Sequence, residues 1–169
     1  MHDTSAEIVA CIPALRRYAR GLTGNKDSAD DLVQDTLERA WRRIARWQRR
    51  GDLRAWLFSI LHNRFIDLVR SARATPEESS GEAEVTLPIR PTQNDMLEIR
   101  DLDAALARIP PDQREVLLLV AVEQMKYEEV ALTLEIPLGT VMSRLSRARE
   151  RLRTIMEGRE VVSRLKVIK

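Results

Sequence analysis

The chain has 169 residues, of which 44% are hydrophobic, 32% are charged and 4% are aromatic, so it can build a core beneath a highly charged surface. Its single cysteine excludes an internal disulfide, and its two widely separated histidines argue against a local metal site. No run approaches the ~20 apolar residues that cross a membrane, and the start lacks the apolar stretch of a signal peptide. These features predict a cytoplasmic protein with no metal and no cofactor.

The net charge of +2 conceals an uneven distribution of charge. Residues 1–75 contain 14 Lys/Arg and 9 Asp/Glu, residues 76–137 contain 5 and 14, and residues 138–169 contain 9 and 3. Two basic blocks around an acidic segment are typical of a protein with a polyanionic partner. Two solvated helical surfaces would show the same pattern, so charge alone leaves both interpretations open.

The periodicity of the apolar residues predicts an all-α fold, because they recur at three and four positions and no strand-like alternation persists. Residues 73–95 are rich in proline, serine and glutamate, which is typical of a flexible linker. We therefore expect two small helical domains, at 1–72 and 96–157, joined by this linker and followed by a basic tail at 158–169.

Three helices are predicted in the first domain. The first covers about Ile8 to Leu22, the second runs from near Asp27–Ser28 to about Trp47, and the third covers about 53–71. Either Asp27 or Ser28 can act as N-cap of the second helix. The predicted buried stripe of the second helix comprises Leu32, Val33, Thr36, Leu37, Ala40, Trp41 and Ile44. That of the third comprises Leu57, Ile60, Leu61, Phe65 and Leu68.

Four helices are predicted in the second domain. The first covers 96–108, and the second starts at Pro110–Pro111 and ends near Glu123. The second contains an apolar run from Val116 to Val122, which predicts a buried central helix. The last two cover 127–134 and from 137 to about 156. Their lengths and short connection are typical of a helix-turn-helix.

The final helix has a polar outer face. At 100° per residue its inner stripe is Val141, Leu145, Ala148 and Leu152, whereas Ser143, Ser146 and Arg147 project outward. Short hydroxyl side chains let a helix approach base edges closely, and arginines bind phosphates or guanine edges. Thr140 at its start, with Arg144 and Arg149 on the flanks, completes a candidate DNA-binding face, for which a solvated basic helix is the alternative.

Two further surfaces are predicted in the first domain. Asp31, Asp35 and Glu38 repeat at i, i+4 and i+7 beside Gln34, which indicates either solvated charge or a docking face for a basic partner. The segment 47–70 mixes aromatic residues with arginines, as single-stranded nucleic acid requires. Asn63 and Asp67 share one face there, and the Asn63 amide can bind the edge of an extruded base. We expect Trp41, Trp56 and Phe65 to lie in the core.

These segments resemble those of a known family. The motifs DDLVQDT at 30–36, RAW at 39–41 and RAWLFSILHNRFID at 54–67 resemble region 2 of bacterial sigma factors. The motifs IPPDQREV at 109–116 and GTVMSRLSRAR at 139–149 resemble region 4. Their order and the linker between them resemble the extracytoplasmic-function (ECF) class, which is not enzymatic.

The resemblance implies three groups of site residues and a set of partners. RNA polymerase core would be bound through its β′ clamp and β flap, the clamp contacting Asp31, Gln34, Asp35 and Glu38. The −10 promoter element would be bound by Arg49, Arg54, Asn63, Arg64, Asp67 and Arg70. The −35 element would be bound by Thr140, Ser143, Arg144, Ser146, Arg147 and Arg149. Met142 departs from the pattern, because relatives can have arginine there.

An anti-sigma factor is a further implied partner. A competing interpretation is a sigma-mimicking partner-switch protein, which binds an anti-sigma factor without reading DNA. The arginine-rich final helix argues against it, because a mimic has no need of a DNA-binding face. A plain helix-turn-helix repressor leaves the segment 47–70 unexplained, and a nuclease lacks a second carboxylate cluster opposite Asp30, Asp31 and Asp35.

Overall fold

The computed structural model describes residues 3–47, 51–74 and 94–166, and every regular element in these ranges is helical, which confirms the all-α prediction. The helices are α1 (Thr4–Thr23), α2 (Lys26–Trp47), α3 (Leu53–Ala74), α4 (Asn94–Ala107), α5 (Pro111–Leu117, extended by a π-helical segment Leu118–Val122), α6 (Tyr127–Leu134) and α7 (Leu138–Lys166). Within these ranges, no helix is both long and apolar enough to span a membrane. The chain divides into two compact units, the first of which contains α1–α3.

The first unit is a three-helix bundle in which α1, α2 and α3 all pack against one another. Tyr18 of α1 and Phe58 of α3 meet edge to face at its centre, with ring centroids 5.3 Å apart and both side chains buried. Leucines surround this pair and are also buried, namely Leu15, Leu32, Leu57 and Leu61. Each such side chain contributes about 1.5–3 kcal/mol when it leaves water, so this core fixes the relative orientation of α2 and α3.

The junction between α1 and α2 corrects the predicted N-cap. Gly24 ends α1 in a left-handed conformation with φ of 67°, which glycine adopts without steric cost. The side chain of Asn25 then accepts hydrogen bonds from the backbone N–H groups of Asp27 at 2.8 Å and Ser28 at 3.2 Å. The cap is therefore Asn25 and neither Asp27 nor Ser28, because the glycine turn brings the chain into helical geometry earlier than the charge pattern indicated.

The buried stripes of α2 and α3 are narrower than predicted. Trp41 is 57% exposed and Leu68 is 39% exposed, so the prediction that both lie in the core is wrong. The stripe of α2 centres on Leu32, Thr36 and Ala40, which are buried. At 3.6 residues per turn Trp41 lies about 140° from that centre, outside the ~100° that one packed face covers. Phe65 is buried and Trp56 is half-buried, closer to expectation.

In the second unit, α4 and α5 pack against α7. The apolar run is buried only from Val116 to Leu119, whereas Ala121 is exposed and Val122 is 48% exposed, so the predicted buried central helix is only half correct. The reason is the π-helical segment, in which the backbone N–H of Glu123 donates to the carbonyl of Leu118. The wider turn changes the angular position of the side chains within it, so that Ala121 and Val122 leave the packed face while Glu123, directly after the segment, is buried.

Helices α6 and α7 confirm the predicted helix-turn-helix, with one difference in length. α6 covers the predicted residues, and α7 begins at Leu138 but continues to Lys166. It thus passes through most of the segment expected to be a separate tail at 158–169. Gly158 is the only glycine or proline between 140 and 166, and a single glycine costs a helix only about 1 kcal/mol.

Candidate functional site

The acidic face predicted on α2 is present, but two of its four residues have partners. Asp31, Gln34 and Glu38 are exposed, and Asp35 is half-buried. The Nε of Arg64 in α3 donates to Oδ2 of Asp35 at 2.9 Å, and Glu38 pairs with Arg42 one turn along α2. Asp31 forms no ion pair with any described residue. The charge directly available to a basic partner is therefore centred on Asp31.

A groove between α1 and α2 adds apolar surface to this face, which the sequence analysis missed. Its lining combines four charged or polar residues (Arg16, Asp30, Gln34 and Glu38) with three apolar ones (Ile12, Val33 and Leu37). Trp41 lies one helical turn beyond Leu37 and is exposed. Apolar residues beside an acidic row are typical of a protein-docking surface rather than of simple solvated charge. The missed signal was the position of Leu37 and Trp41 at the edge of the apolar stripe.

The predicted −10 residues from Asn63 to Arg70 on α3 differ in exposure and in ion pairing. Asn63, Asp67 and Arg70 are exposed on this helix. Arg64 is held by Asp35, as described above, and Asp67 lies 3.8 Å from an Nη atom of Arg39 of α2. Two ion pairs therefore connect α2 with α3, and both include a residue predicted to bind promoter DNA.

The beginning of α3 is less open than predicted. The guanidinium of Arg54 lies 5.2 Å from the centroid of the Phe58 ring, a cation–π geometry that holds this arginine against the core. Burial raises the pKa of the neighbouring Cys11 thiol, and the positive charge of Arg54 partly offsets this effect. Arg49, another predicted −10 residue, lies outside the described residues.

The aromatic platform predicted for single-stranded DNA is reduced to one pair. Phe58 and Phe65 are buried and therefore unable to stack on a base. Trp47 and Trp56 stack on each other with centroids 5.6 Å apart at 28°, and both remain half-buried. This pair joins the end of α2 to the beginning of α3.

The outer face of α7 has the predicted geometry. Val141, Leu145 and Ala148 are buried. On the opposite side the exposed residues are Ser143, Ser146, Arg147 and Arg149. The Ser143 hydroxyl donates to the Thr140 carbonyl at 3.2 Å, and Thr140 itself is half-buried. One face thus anchors the helix while the other presents hydroxyl and guanidinium groups.

Arg144 differs from the other arginines of this face. Its Nε lies 3.7 Å from Oδ2 of Asp112 in α5, and its side chain is half-buried. Arg144 therefore turns toward the body of the second unit. Met142 is 53% exposed and places an apolar side chain on the outer surface. The face consequently presents two serines, two arginines and a methionine.

Two family models match the chain. Residues 8–62 match the Sigma2 domain of PhyR, and residues 99–152 match sigma-70 region 4. The ECF RNA polymerase sigma factor EcfG of Rhodopseudomonas palustris (strain TIE-1) is 42% identical over 150 residues, which are 89% of this chain and 83% of that protein. The chain belongs to the ECF RNA polymerase sigma factors. The family resemblance in its sequence is thereby confirmed.

Solved structures of similar proteins support the same family. The sigma factor RpoE of Bartonella quintana, solved with the anti-sigma factor NepR, has a TM-score of 0.81 at 36% identity, covering 93% of this chain and 98% of that one. CnrH, solved with the cytosolic domain of CnrY, has a TM-score of 0.69 at 26% identity, covering 91% of this chain and 87% of that one.

Proposed function

We propose that this protein is an alternative sigma factor that binds RNA polymerase core and directs transcription initiation by recognising −35 and −10 promoter elements. The observation that best supports this function is the outer face of α7. Ser143, Ser146 and Arg147 are exposed there, while Val141 and Leu145 on the opposite side are buried. Such an arrangement suits a helix that enters the major groove.

The acidic face of α2 is the proposed contact with the β′ clamp of the polymerase. Asp31, Gln34 and Glu38 supply polar contacts, and the groove beside them supplies apolar area through Leu37. A partner that contacts Asp35 must compete with Arg64 for the same carboxylate. The second unit is the proposed contact with the β flap.

The proposed −10 surface combines exposed polar residues of α3 with the stacked tryptophans. Asn63 can bind the edge of an extruded base, and Arg70 can contact a phosphate. No hydrolysis is needed in this mechanism, because the energy of strand opening comes from binding to the opened form. Neither unit needs to bind DNA tightly, since the polymerase joins the two contacts and the linker sets their effective concentration.

We further propose that an anti-sigma factor controls this protein. The support is its similarity to RpoE of Bartonella quintana, which was solved with the anti-sigma factor NepR. A partner of this kind would block activity by covering the surfaces that polymerase or promoter requires.

A second candidate is a sigma-mimicking partner-switch protein, which binds an anti-sigma factor without reading DNA. The match of residues 8–62 to the Sigma2 domain of PhyR favours it. The exposed arginines of α7 and the 42% identity to EcfG favour the sigma factor. Transcription separates the two, because only a sigma factor directs initiation.

The test is run-off transcription with core polymerase on genomic fragments of the source bacterium, with and without this protein. We expect promoter-specific transcripts that Arg147→Ala reduces. Arg153→Ala is the matched control, because Arg153 lies on the same helix but pairs with Glu150 at 2.7 Å. Polymerase binding without any promoter-specific transcript would refute the sigma-factor function, and anti-sigma binding alone would establish the mimic.

A further inference from the structure

A second basic surface lies in the first unit, at the turn between α1 and α2. From Ile8 to Lys26 the sequence contains four cationic residues and no acidic one. The turn at Gly24 folds α2 back on α1, so that these cations meet around one open cleft. Its lining residues, which define the basic cleft, are Arg16, Arg17, Arg20, Lys26, Ala29 and Asp30.

The composition of the basic cleft identifies the kind of ligand that fits it. Three of its four cations are arginines, whose planar guanidinium groups bind phosphate oxygens in pairs. Its apolar lining is limited to Ala29, so it lacks the large apolar anchor around which protein interfaces are usually built. A polyanion held by charge fits this surface better than a folded protein partner.

The acidic residue in the basic cleft does not block an anion. Asp30 lies 4.0 Å from the Nε of Arg16, with both side chains substantially exposed. An exposed pair at this distance contributes little, so a phosphate can replace the carboxylate. The basic cleft adjoins the groove beside the acidic face, and Arg16 and Asp30 line both. Arg20 and Lys26 line only the cleft, so substitutions at these two residues leave the lining of the proposed docking site unchanged.

We propose that the basic cleft binds the phosphodiester backbone of DNA, as a contact independent of both proposed promoter surfaces. Because phosphates are present in every sequence, this contact is not sequence-specific. It increases the affinity of the first unit for duplex DNA, so that the unit stays close to the promoter before any base is extruded.

The experiment measures binding of the full-length protein to a fluorescent random-sequence duplex of about 30 base pairs at several salt concentrations. The variant is Arg20→Gln/Lys26→Gln. The matched control is Arg108→Gln/Lys126→Gln, which removes the same charge from the second unit, at exposed positions just after α4 and just before α6. Arg20→Lys/Lys26→Arg tests whether charge alone is sufficient, and thermal unfolding confirms that each variant is folded.

We expect the salt slope of the variant to be smaller by about 1.8, or about 0.9 for each lost phosphate contact. Between about 50 and 200 mM salt the wild type then loses about twelve-fold more affinity than the variant. The control and the charge-conserving variant keep the wild-type slope. If the salt slope of Arg20→Gln/Lys26→Gln equals that of the control variant, the inference is overturned. It is also overturned if this variant binds a Glu-rich peptide more weakly than the wild type does while its salt slope on DNA is unchanged, because the cleft then binds acidic protein and not DNA. Either result leaves the proposed function intact, because Arg147→Ala tests that function separately.

Discussion

The contact between Asp35 and Arg64 predicts that two acids of the same face behave differently when neutralised. Asp35→Asn removes the charge from a hydrogen-bonded pair at 2.9 Å whose side chains are 42% and 26% exposed. Asp31→Asn removes an equal charge that has no ion pair with a described residue. Hydrogen bonds to charged groups contribute about 1.5–3 kcal/mol, and exposed pairs only about 0–1. For this half-buried pair we expect a cost of about 1 kcal/mol.

Unfolding of the first unit can be followed selectively, because all three tryptophans of the chain lie in α2 and α3. A loss of about 1 kcal/mol lowers the Tm of a domain of this size by about 4–8 °C. We therefore expect this shift in tryptophan fluorescence for Asp35→Asn and a shift near zero for Asp31→Asn. Polymerase binding should weaken in both variants.

The double variant Asp35→Asn/Arg64→Gln isolates the interaction free energy of the two side chains from the effect of changing each one alone. If the contact stabilises the unit, the effects of the two single changes are not additive. Equal melting temperatures for Asp31→Asn and Asp35→Asn would show that the pair contributes nothing in solution and would refute this reasoning. Asp31→Lys is accordingly the cleaner test of polymerase docking, since Asp35→Arg would place two guanidinium groups together.

Four further predictions have distinct expected outcomes. Arg147→Ala should flatten the salt slope of −35 duplex binding by about one unit. Arg144→Ala should change this slope less, because Asp112 already holds the Arg144 side chain. Equal salt slopes for the two variants would contradict the assignment. Asn63→Ala should slow open-complex formation more than duplex binding, and equal effects on both would exclude strand capture. Asn25→Ala removes the cap of α2 and should cost about 1 kcal/mol in thermal unfolding, whereas an unchanged Tm would exclude the cap. Because burial raises the pKa of Cys11, alkylation of this thiol at pH 8 should be slower in the folded protein than in the unfolded chain. The thiol's contribution to stability should be lost as the pH rises above its pKa in the unfolded chain, about 8.5. Equal alkylation rates in the folded and unfolded protein would contradict the raised pKa.

The helices were predictable because each has an apolar periodicity of its own. The residues of α6 and the inner stripe of α7 agree with prediction, since Val141, Leu145 and Ala148 are three or four positions apart. Helix ends were less predictable, because they depend on single contacts. Asn25 caps α2 only after Gly24 adopts a positive φ, and acidic residues in a first turn indicate a helix start without fixing its position.

The candidate surfaces were predictable as faces but not as contacts. A helical wheel treats one helix at a time, so it places Ser143 and Arg147 correctly on the outside of α7. It contains no information on a partner helix, and Asp35 and Arg64 are 29 positions apart in sequence. The same limitation applies to Arg144, whose partner Asp112 lies on α5. The exposure of Trp41 was missed because the packed stripe of α2 is narrower than the stripe that its apolar residues form on a helical wheel.

These cross-helix pairs divide the predicted site residues into two functional kinds. Arg64, Asp67 and Arg144 can contact a partner only by leaving an intramolecular partner, so part of the binding energy is offset by the lost pair. Asp31 and Arg147 make no ion pair with the described residues, so a partner gains their full interaction. Substitutions at Asp31 and Arg147 should therefore change binding without changing stability, whereas substitutions at Arg64 should change both. A charge that changes stability and binding together belongs to the fold as well as to the site, and only the folded arrangement of α2 and α3 reveals which charges these are.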